Sequence, residues 1–221
     1  VHARPRLPRL MAATRHPCLA INPAINIAEL IWSELMDVLV YSDFNCPFCY
    51  VLNERLIAAG VAQRAQWRGV QHAPQLPMPL AAAGPRLRAE LQHEVSAVRH
   101  LAPEVEIALP SGKPNTGPAI AAVAAVLRVD AHAAHVFKDS LYRAFWREGA
   151  DLSDPAVLRA LARAAGLPEQ WDGAEVAATA ARWQNEWIRS GFRGVPAMLR
   201  GDGQRLEGLV PLQKLQTFFA E

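Results

Sequence analysis

Two cysteines separated by two residues are the first feature of the sequence that could carry chemistry. Cys46 and Cys49 enclose Pro47 and Phe48 in the stretch SDFNCPFCY. The thiolate is the reactive form of cysteine, and its pKa falls at the start of a helix or in a Cys-x-x-Cys pair. Pro47 suits the first position of a helix, so we predict that a helix begins at this pair.

The spacing places both sulfurs on one face of that helix, three residues apart. We therefore assign Cys46, at the positive end of the helix dipole, as a nucleophile and Cys49, more buried, as the resolving thiol. Two other interpretations stay open. The pair could be half of a zinc site that His16 and Cys18 complete, or it could be two inert core thiols. Its position between a predicted strand and a predicted helix favours redox chemistry.

The elements that would hold the pair follow from hydrophobic periodicity. Residues 36–44 (MDVLVYSDF) are apolar and β-branched, which predicts a buried strand directly before the pair. Residues 62–71 (AQRAQWRGVQ) predict a second strand after the helix, and a strand, helix and strand of this length predict a parallel pair. Apolar residues at helical spacing then predict helices across most of residues 85–189, with Ser153 as the N-cap of one of them.

Strand patterns return near the C-terminus. VPAMLR, GDG and QRLEG predict a hairpin, and VPLQKLQTFFA predicts a closing helix. The predicted fold class is therefore α/β, with a βαβ unit and a ββα unit in one mixed sheet, separated by a helical block.

Composition limits the alternatives. The chain has 221 residues, of which 51% are apolar, and a formal net charge of +2, so one domain can bury a full core. A charge this close to zero argues against a nucleic-acid or membrane-surface partner. Three cysteines are too few for a disulfide scaffold. No stretch has the length of a membrane span.

The first 35 residues differ from the rest. They carry four arginines and no acidic residue before Glu29, and they lack the apolar core of a secretory signal. This pattern is weakly typical of a transit peptide, but we prefer an extension that is disordered or lies upstream of the natural start, which Met36 would mark. We expect a cytoplasmic protein.

A second motif, GFRGVP, precedes the late strand and contains Pro196. Together with SDFNCPFCY, WRGVQHAP, KPNT and AFWREGADLSDPAVLRALARAAGL, it resembles segments of the DsbA-like branch of the thioredoxin superfamily, in particular the cytoplasmic DsbA-family oxidoreductases. The resemblance covers roughly residues 36–220. It implies a thioredoxin fold with residues 36–72 and 190–221 in the thioredoxin-like domain and 73–189 as a helical insertion.

The resemblance also implies a function. Cys46 and Cys49 would exchange thiols and disulfides, Pro196 would be cis and pack against them, and Val195 would offer its backbone to an extended substrate. An apolar rim for substrate could come from the residues around the two motifs, with core packing as the alternative for the aromatic ones. The rim candidates are Pro47, Phe48, Phe44 and Phe192, together with Asn115, for which a helix-capping role is equally open.

A related branch shares this architecture, namely the kappa-class glutathione transferases and the 2-hydroxychromene-2-carboxylate isomerases. Those proteins typically have serine where Cys46 stands, so the cysteine pair argues against that branch, which we keep as the alternative function. We expect no bound cofactor or metal beyond the redox-active pair, with glutathione as a candidate reductant. The expected partners are protein or small-molecule thiols and disulfides. Asp43 lies close enough in sequence to affect proton transfer at the pair, with a solvated carboxylate as the alternative.

Overall fold

The structure is a computed structural model that describes residues 38–220. In chain order its elements are β1 (Val38–Ser42), α1 (Pro47–Ala58), a 3₁₀ turn (Ala62–Arg64), β2 (Ala65–Gly69), α2 (Pro85–Leu101), α3 (Gly117–Leu127), α4 (Ala131–Glu148), α5 (Pro155–Ala164), α6 (Ala174–Ser190), β3 (Ala197–Arg200), β4 (Arg205–Glu207) and α7 (Leu212–Ala220). The predicted extension at residues 1–35, with its arginines, His16 and Cys18, lies outside the described residues.

Four strands form one mixed sheet in the order β2-β1-β3-β4. β1 pairs with β2 in parallel and with β3 in antiparallel register, so that Tyr41 lies opposite both Arg68 and Ala197. β3 and β4 form the predicted hairpin. Because parallel strands end at the same edge of a sheet, the residues after Ser42 and after Gly69 meet there. The start of α1 lies at this edge.

The strands are shorter than the sequence patterns suggest. The segment 62–71 was predicted to be extended throughout, but Ala62–Arg64 forms a 3₁₀ turn and only Ala65–Gly69 pairs with β1. The helix that was predicted to start after an N-cap at Ser153 is capped by Asp154 instead, whose carboxylate accepts a hydrogen bond from the Ala156 N–H at 2.7 Å. Both differences are local shifts at element ends.

The helical block from α2 to α6 packs over the edge of the sheet at which α1 begins. Its buried side chains join this edge to the main core. Buried side chains of α2, α3 and α4 form one cluster with Phe44, Cys46, Cys49 and Tyr50. Gly69 permits the close approach of α3, because a Cβ there would lie 2.9 Å from the Ile120 side chain. Among the helices of the described residues, none is long and apolar enough to cross a membrane.

A second core lies between the sheet and the last helix. It includes Val38, Leu52, Met198, Leu215 and Phe219, all of which are buried. α1 therefore contributes to both cores, since Tyr50 and Val51 belong to the first and Leu52 to the second. This double packing fixes the helix that carries the cysteine pair.

Candidate active site

Cys46 is the N-cap residue of α1. Its backbone is extended, with φ −100° and ψ 118°, and Pro47 occupies the first turn, where a missing N–H costs nothing. The Cys46 carbonyl accepts hydrogen bonds from the N–H groups of Cys49 and Tyr50, at 3.1 and 3.2 Å. The local sequence thus folds as predicted, and it places the first sulfur at the positive end of the helix dipole.

The two sulfurs have different environments. Both cysteines are free thiols; Cys46 is 7% exposed and Cys49 is 1% exposed. A hydrogen bond from the Cys49 thiol lowers the pKa of Cys46, and this effect, with help from the Cys49 backbone N–H and the charge of His72, outweighs burial and the nearby Asp43 carboxylate. Burial raises the pKa of Cys49 well above its usual range. Cys46 is therefore the thiol that ionises first.

The loop before β3 lies next to the first sulfur. The Cys46 thiol donates a hydrogen bond to the Val195 carbonyl at 3.5 Å, and the Val195–Pro196 peptide bond is cis. Val195 is half-buried and Pro196 is buried. The Pro196 carbonyl accepts from the Gly208 N–H at 2.8 Å, and the Gly194 carbonyl accepts from the Trp187 indole at 3.3 Å. These bonds tie both sides of the loop to the rest of the fold.

A buried carboxylate connects the ends of the two parallel strands. Asp43 is fully buried; its Oδ2 contacts Nδ1 of His72 at 2.7 Å and accepts from the His72 backbone N–H at 2.9 Å. Its other oxygen accepts from the Thr116 hydroxyl at 2.6 Å. Asp43 was a candidate for proton transfer that could instead have been solvated, and the structure places it inside a network.

His72 was missed by the sequence analysis. Its side chain is 30% exposed, and it is oriented by Asp43 at the edge of the sheet. Burial lowers the pKa of His72, but the hydrogen bond and charge of Asp43, together with the charge of Cys46, raise it overall. The signal was available, since Asp43 directly follows β1 and His72 comes three residues after β2, at strand ends that a parallel pair brings together.

Replacing His72 by glutamine is expected to slow alkylation of Cys46 at neutral pH. The protonated imidazole lowers the pKa of Cys46, so its loss reduces the thiolate fraction, and we expect a decrease of about three- to tenfold in the rate with iodoacetamide. The rate–pH profile should shift to higher pH. His132→Gln, an exposed histidine on α4, is the matched control and should leave the profile unchanged. An unshifted profile in His72→Gln would show that His72 does not act on Cys46.

Asn115 holds the loop that follows β2. Its amide nitrogen donates to the carbonyls of Pro74 and Leu76, at 3.0 and 2.9 Å, and its oxygen accepts from the Gln71 side chain at 2.8 Å and from the Gly117 N–H at 3.1 Å. Asn115 was predicted as either a rim residue or a cap. The N-cap residue of α3 is Thr116, and the buried Asn115 side chain accepts from the first N–H of the helix and fixes the loop through its other contacts.

The candidate rim residues differ in how deeply they are buried. Phe44 is fully buried, with its ring 4.6 Å from Tyr142 and 5.2 Å from Trp67, so of the two roles left open for it, rim and core packing, the structure shows core packing. Phe192 is also buried, and Pro47 is buried at the helix start. Phe48 is half-buried beside the cysteines, and it stays a candidate contact for substrate.

A metal site at the cysteine pair would need ligands from elsewhere. His16 and Cys18, the predicted candidates, lie outside the described residues. Within residues 38–220 no three His, Cys, Asp or Glu side chains are grouped so that they could hold a metal ion. The thiol environments in the described part of the chain are accounted for by hydrogen bonds and burial.

This arrangement can perform nucleophilic sulfur chemistry. A thiol with a lowered pKa lies at a helix start, beside a second thiol that is held protonated by burial. The Asp43 backbone N–H donates to the Cys49 sulfur at 3.4 Å, which fixes that sulfur behind the first. A disulfide that reaches Cys46 could therefore be attacked by one sulfur and released by the other.

Comparison with solved structures shows the same fold at low sequence identity. A candidate protein disulfide isomerase from Nitrosomonas europaea is 20% identical, with a TM-score of 0.66 over 83% of this chain and 95% of that chain. The cytosolic disulfide reductase DsbM from Pseudomonas aeruginosa, solved with GSH, is 20% identical, with a TM-score of 0.64 over 83% and 96%. A 2-hydroxychromene-2-carboxylate isomerase is 19% identical, with a TM-score of 0.63 over 83% and 94%.

Family membership rests on the sequence itself. No curated protein matches this chain. The model of the DSBA-like thioredoxin domain matches residues 37–220, which include the cysteine pair, the helical block and the hairpin. The chain therefore belongs to the family of DSBA-like thioredoxin domains.

Proposed function

We propose that the chain is a thiol–disulfide oxidoreductase in which Cys46 is the nucleophile and Cys49 resolves the intermediate. The observation that carries this proposal is the geometry of the pair. Cys46 lies at the start of α1 with its sulfur 3.5 Å from the carbonyl of Val195, and Cys49 lies one turn later on the buried side. The directions of the pKa shifts agree with this geometry, since the hydrogen bond from Cys49 lowers the pKa of Cys46 and burial raises the pKa of Cys49.

The exchange has two steps. The Cys46 thiolate attacks one sulfur of a substrate disulfide, a mixed disulfide forms, and the other substrate sulfur leaves with the electron pair of the broken bond. Cys49 then loses its proton and attacks the Cys46 sulfur, which releases the second substrate sulfur as a thiolate. The substrate gains two electrons, and the protein ends with a Cys46–Cys49 disulfide. Two thiols, with glutathione as the candidate donor, return it to the reduced form; the reverse sequence oxidises a dithiol substrate.

Substrate is proposed to bind along the loop that ends at Pro196. The Val195 carbonyl already contacts the Cys46 sulfur, so a chain lying beside this backbone would bring its own sulfur to the same place. Phe48, half-buried beside the pair, offers an apolar contact. A cytoplasmic location belongs to this proposal and is supported by the likeness to a reductase described as cytosolic.

The test is steady-state reduction of a peptide disulfide with reduced glutathione as the electron donor. The proposal predicts catalysed reduction by the wild-type protein, with transient accumulation of the Cys46–Cys49 disulfide detected by acid quenching and mass analysis. A rate equal to the uncatalysed one at all glutathione concentrations, in both the forward and reverse directions, would refute it.

A glutathione-dependent transferase or isomerase is the second candidate. It is supported by the similarity in fold to a 2-hydroxychromene-2-carboxylate isomerase, which covers 83% of this chain. In that case glutathione would bind beside Cys46, and Cys49 would be dispensable for turnover. Activity on a carbon electrophile that survives Cys49→Ser, together with absent disulfide exchange, would favour this second function.

A further inference from the structure

A buried lysine lies in the core behind the resolving thiol. Lys138 belongs to α4, and its side chain is only 6% exposed. It follows the inward face of the helix, where the neighbouring buried positions are Ala134, Leu141 and Tyr142. Asp139 contacts its ammonium at 3.0 Å. Burying an ammonium group is costly, and a packed apolar side chain would serve stability at least as well, so packing alone does not explain this residue.

Lys138 and Cys49 line the same small cavity. Its wall also includes Ser42, Asn53 and Trp67, and the space open to the centre of a water molecule is about 10 Å³. This is roughly the volume that one water needs. Asn53 Nδ2 is buried and has no hydrogen-bond partner among the described residues, which favours a polar occupant of the cavity. Lys138 and Cys49 therefore border one cavity whose open space suits a single water.

Hydroxyl groups reinforce the polar side of this cavity. The Ser42 hydroxyl lies 2.6 Å from the Tyr142 hydroxyl. A hydrogen bond from Ser42 also favours the ionised form of Cys49, although burial dominates and raises the pKa of that thiol. Cys49 must nevertheless become a thiolate twice in each cycle, once as the attacking group and once as the leaving group. Only 1% of Cys49 is exposed to solvent, so a proton must reach or leave its sulfur through neighbouring groups.

We propose that Lys138 exchanges a proton with Cys49 through a water in this cavity. When an external thiolate attacks the Cys46 sulfur of the oxidised protein, the Cys46–Cys49 bond breaks and its electron pair goes to Cys49. The Lys138 ammonium then gives a proton to the water, and the water gives one to the Cys49 thiolate. In the opposite direction the neutral amine accepts the proton that Cys49 loses. This inference rests on the proposed function and names a residue that acts on the resolving thiol.

The charged surroundings of Lys138 set its proton affinity. Burial lowers the pKa of Lys138, and the Asp139 carboxylate opposes this effect. The charged and titratable groups that act on Lys138 are Glu54 from α1 and His135, Asp139 and Arg143 from α4 itself. Cys49 from α1 and Ser42 from β1 share its cavity. A lowered pKa brings the amine closer to neutrality, where it can both give and take a proton.

The test measures how fast the oxidised protein is reduced by dithiothreitol, monitored by tryptophan fluorescence and divided by the concentration of reductant thiolate. In the wild-type protein this rate constant should fall as pH rises and the Lys138 ammonium deprotonates. Lys138→Met should lower it about 100-fold at neutral pH, at the lower end of general acid catalysis, and make it independent of pH. Lys214→Met, an exposed lysine on α7, is the matched control and should behave like the wild type.

A second variant separates charge from proton exchange. Lys138→Arg keeps a positive charge in the cavity but cannot release a proton in this pH range. It should therefore show a flat profile, with a rate below that of the wild type. A wild-type rate and profile in either Lys138 variant would overturn the inference while leaving the proposed function intact. If Lys138→Met does not fold, a flat profile in the wild-type protein would overturn it equally. Complete absence of reduction in the wild type would instead refute the proposed function.

Discussion

Replacing Cys46 by serine is expected to reduce catalysed thiol–disulfide exchange by about 10³-fold or more, because a hydroxyl with an ordinary pKa cannot replace a thiolate as the attacking group. The effect should be large, since Cys46 is the thiol whose pKa the fold lowers, and the sulfur beside it is buried. Reduction of a peptide disulfide by glutathione, followed by thiol titration, measures it. Cys18→Ser, which removes the third cysteine, is the matched control and should retain exchange.

Replacing Cys49 by serine should give a different result. The first attack can still occur, but the second sulfur that releases the substrate is missing, so a mixed disulfide at Cys46 should accumulate. Intact-protein mass analysis after acid quenching detects the added substrate mass. If both cysteine variants exchange disulfides as fast as the wild type, neither cysteine takes part in the reaction. If Cys49→Ser turns over normally, the resolving role assigned to that residue is wrong.

Replacing Phe44 by alanine is expected to lower the free energy of unfolding by about 3–5 kcal/mol, the range typical of removing a fully buried phenylalanine. The ring lies between Trp67 and Tyr142, and the backbone carbonyl of Phe44 accepts a hydrogen bond from the Trp146 indole at 2.8 Å. Its loss would leave a cavity in the core cluster that also contains both cysteines. Urea denaturation followed by circular dichroism measures the change in unfolding free energy.

Phe48→Ala is the matched control for this prediction. Phe48 is half-buried at the start of α1, so we expect a loss of less than about 1.5 kcal/mol and a larger effect on substrate affinity than on stability. The two variants compare a fully buried phenylalanine with a half-buried one in the same motif. Equal stability losses in the two variants would contradict the burial that the structure assigns to Phe44.

The sequence predicted the order of elements well because each prediction used a local pattern. Each element has its hydrophobic pattern within one continuous segment. This holds for the strand before Cys46, the helix that begins at Pro47, the helical block and the closing hairpin. Errors occurred where local preferences compete. Ser153 and Asp154 are both good N-cap residues in adjacent positions, and only the contact with Ala156 N–H decides between them. The 3₁₀ turn Ala62–Arg64 leads directly into β2, and no glycine or proline separates the two.

Only the part of the candidate site that lies within one short segment was predicted from the sequence. Cys46 and Cys49 are adjacent in one motif, and their different burial followed from the start of the helix. The choice between a rim and a core role for Phe44 stayed open, because the aromatic rings that enclose it come from β2 and α4. Lys138 could not be recognised from its own helix, where a lysine ordinarily faces solvent. Its position behind Cys49 depends on how α4 packs against α1 and β1.

His72 shows that part of the missing information was present in the sequence. A parallel βαβ unit was predicted, and the ends of its two strands had to lie side by side. Asp43 and His72 follow those ends, and an acid beside a histidine is a common way to orient and charge the imidazole. Applying the topology to the residues after each strand, and not only to the strands, would have predicted this contact.

The central claim is that Cys46 and Cys49 form a reversible disulfide. The most direct measurement is equilibration of the protein in glutathione buffers of varied ratio, followed by acid trapping of free thiols and mass analysis of the peptide that contains both cysteines. We expect these two thiols to disappear together, in a single two-electron transition that Cys46→Ser abolishes. If they remain unlinked at every ratio, or if each forms only a separate mixed disulfide with glutathione, Cys46 and Cys49 are not a redox pair.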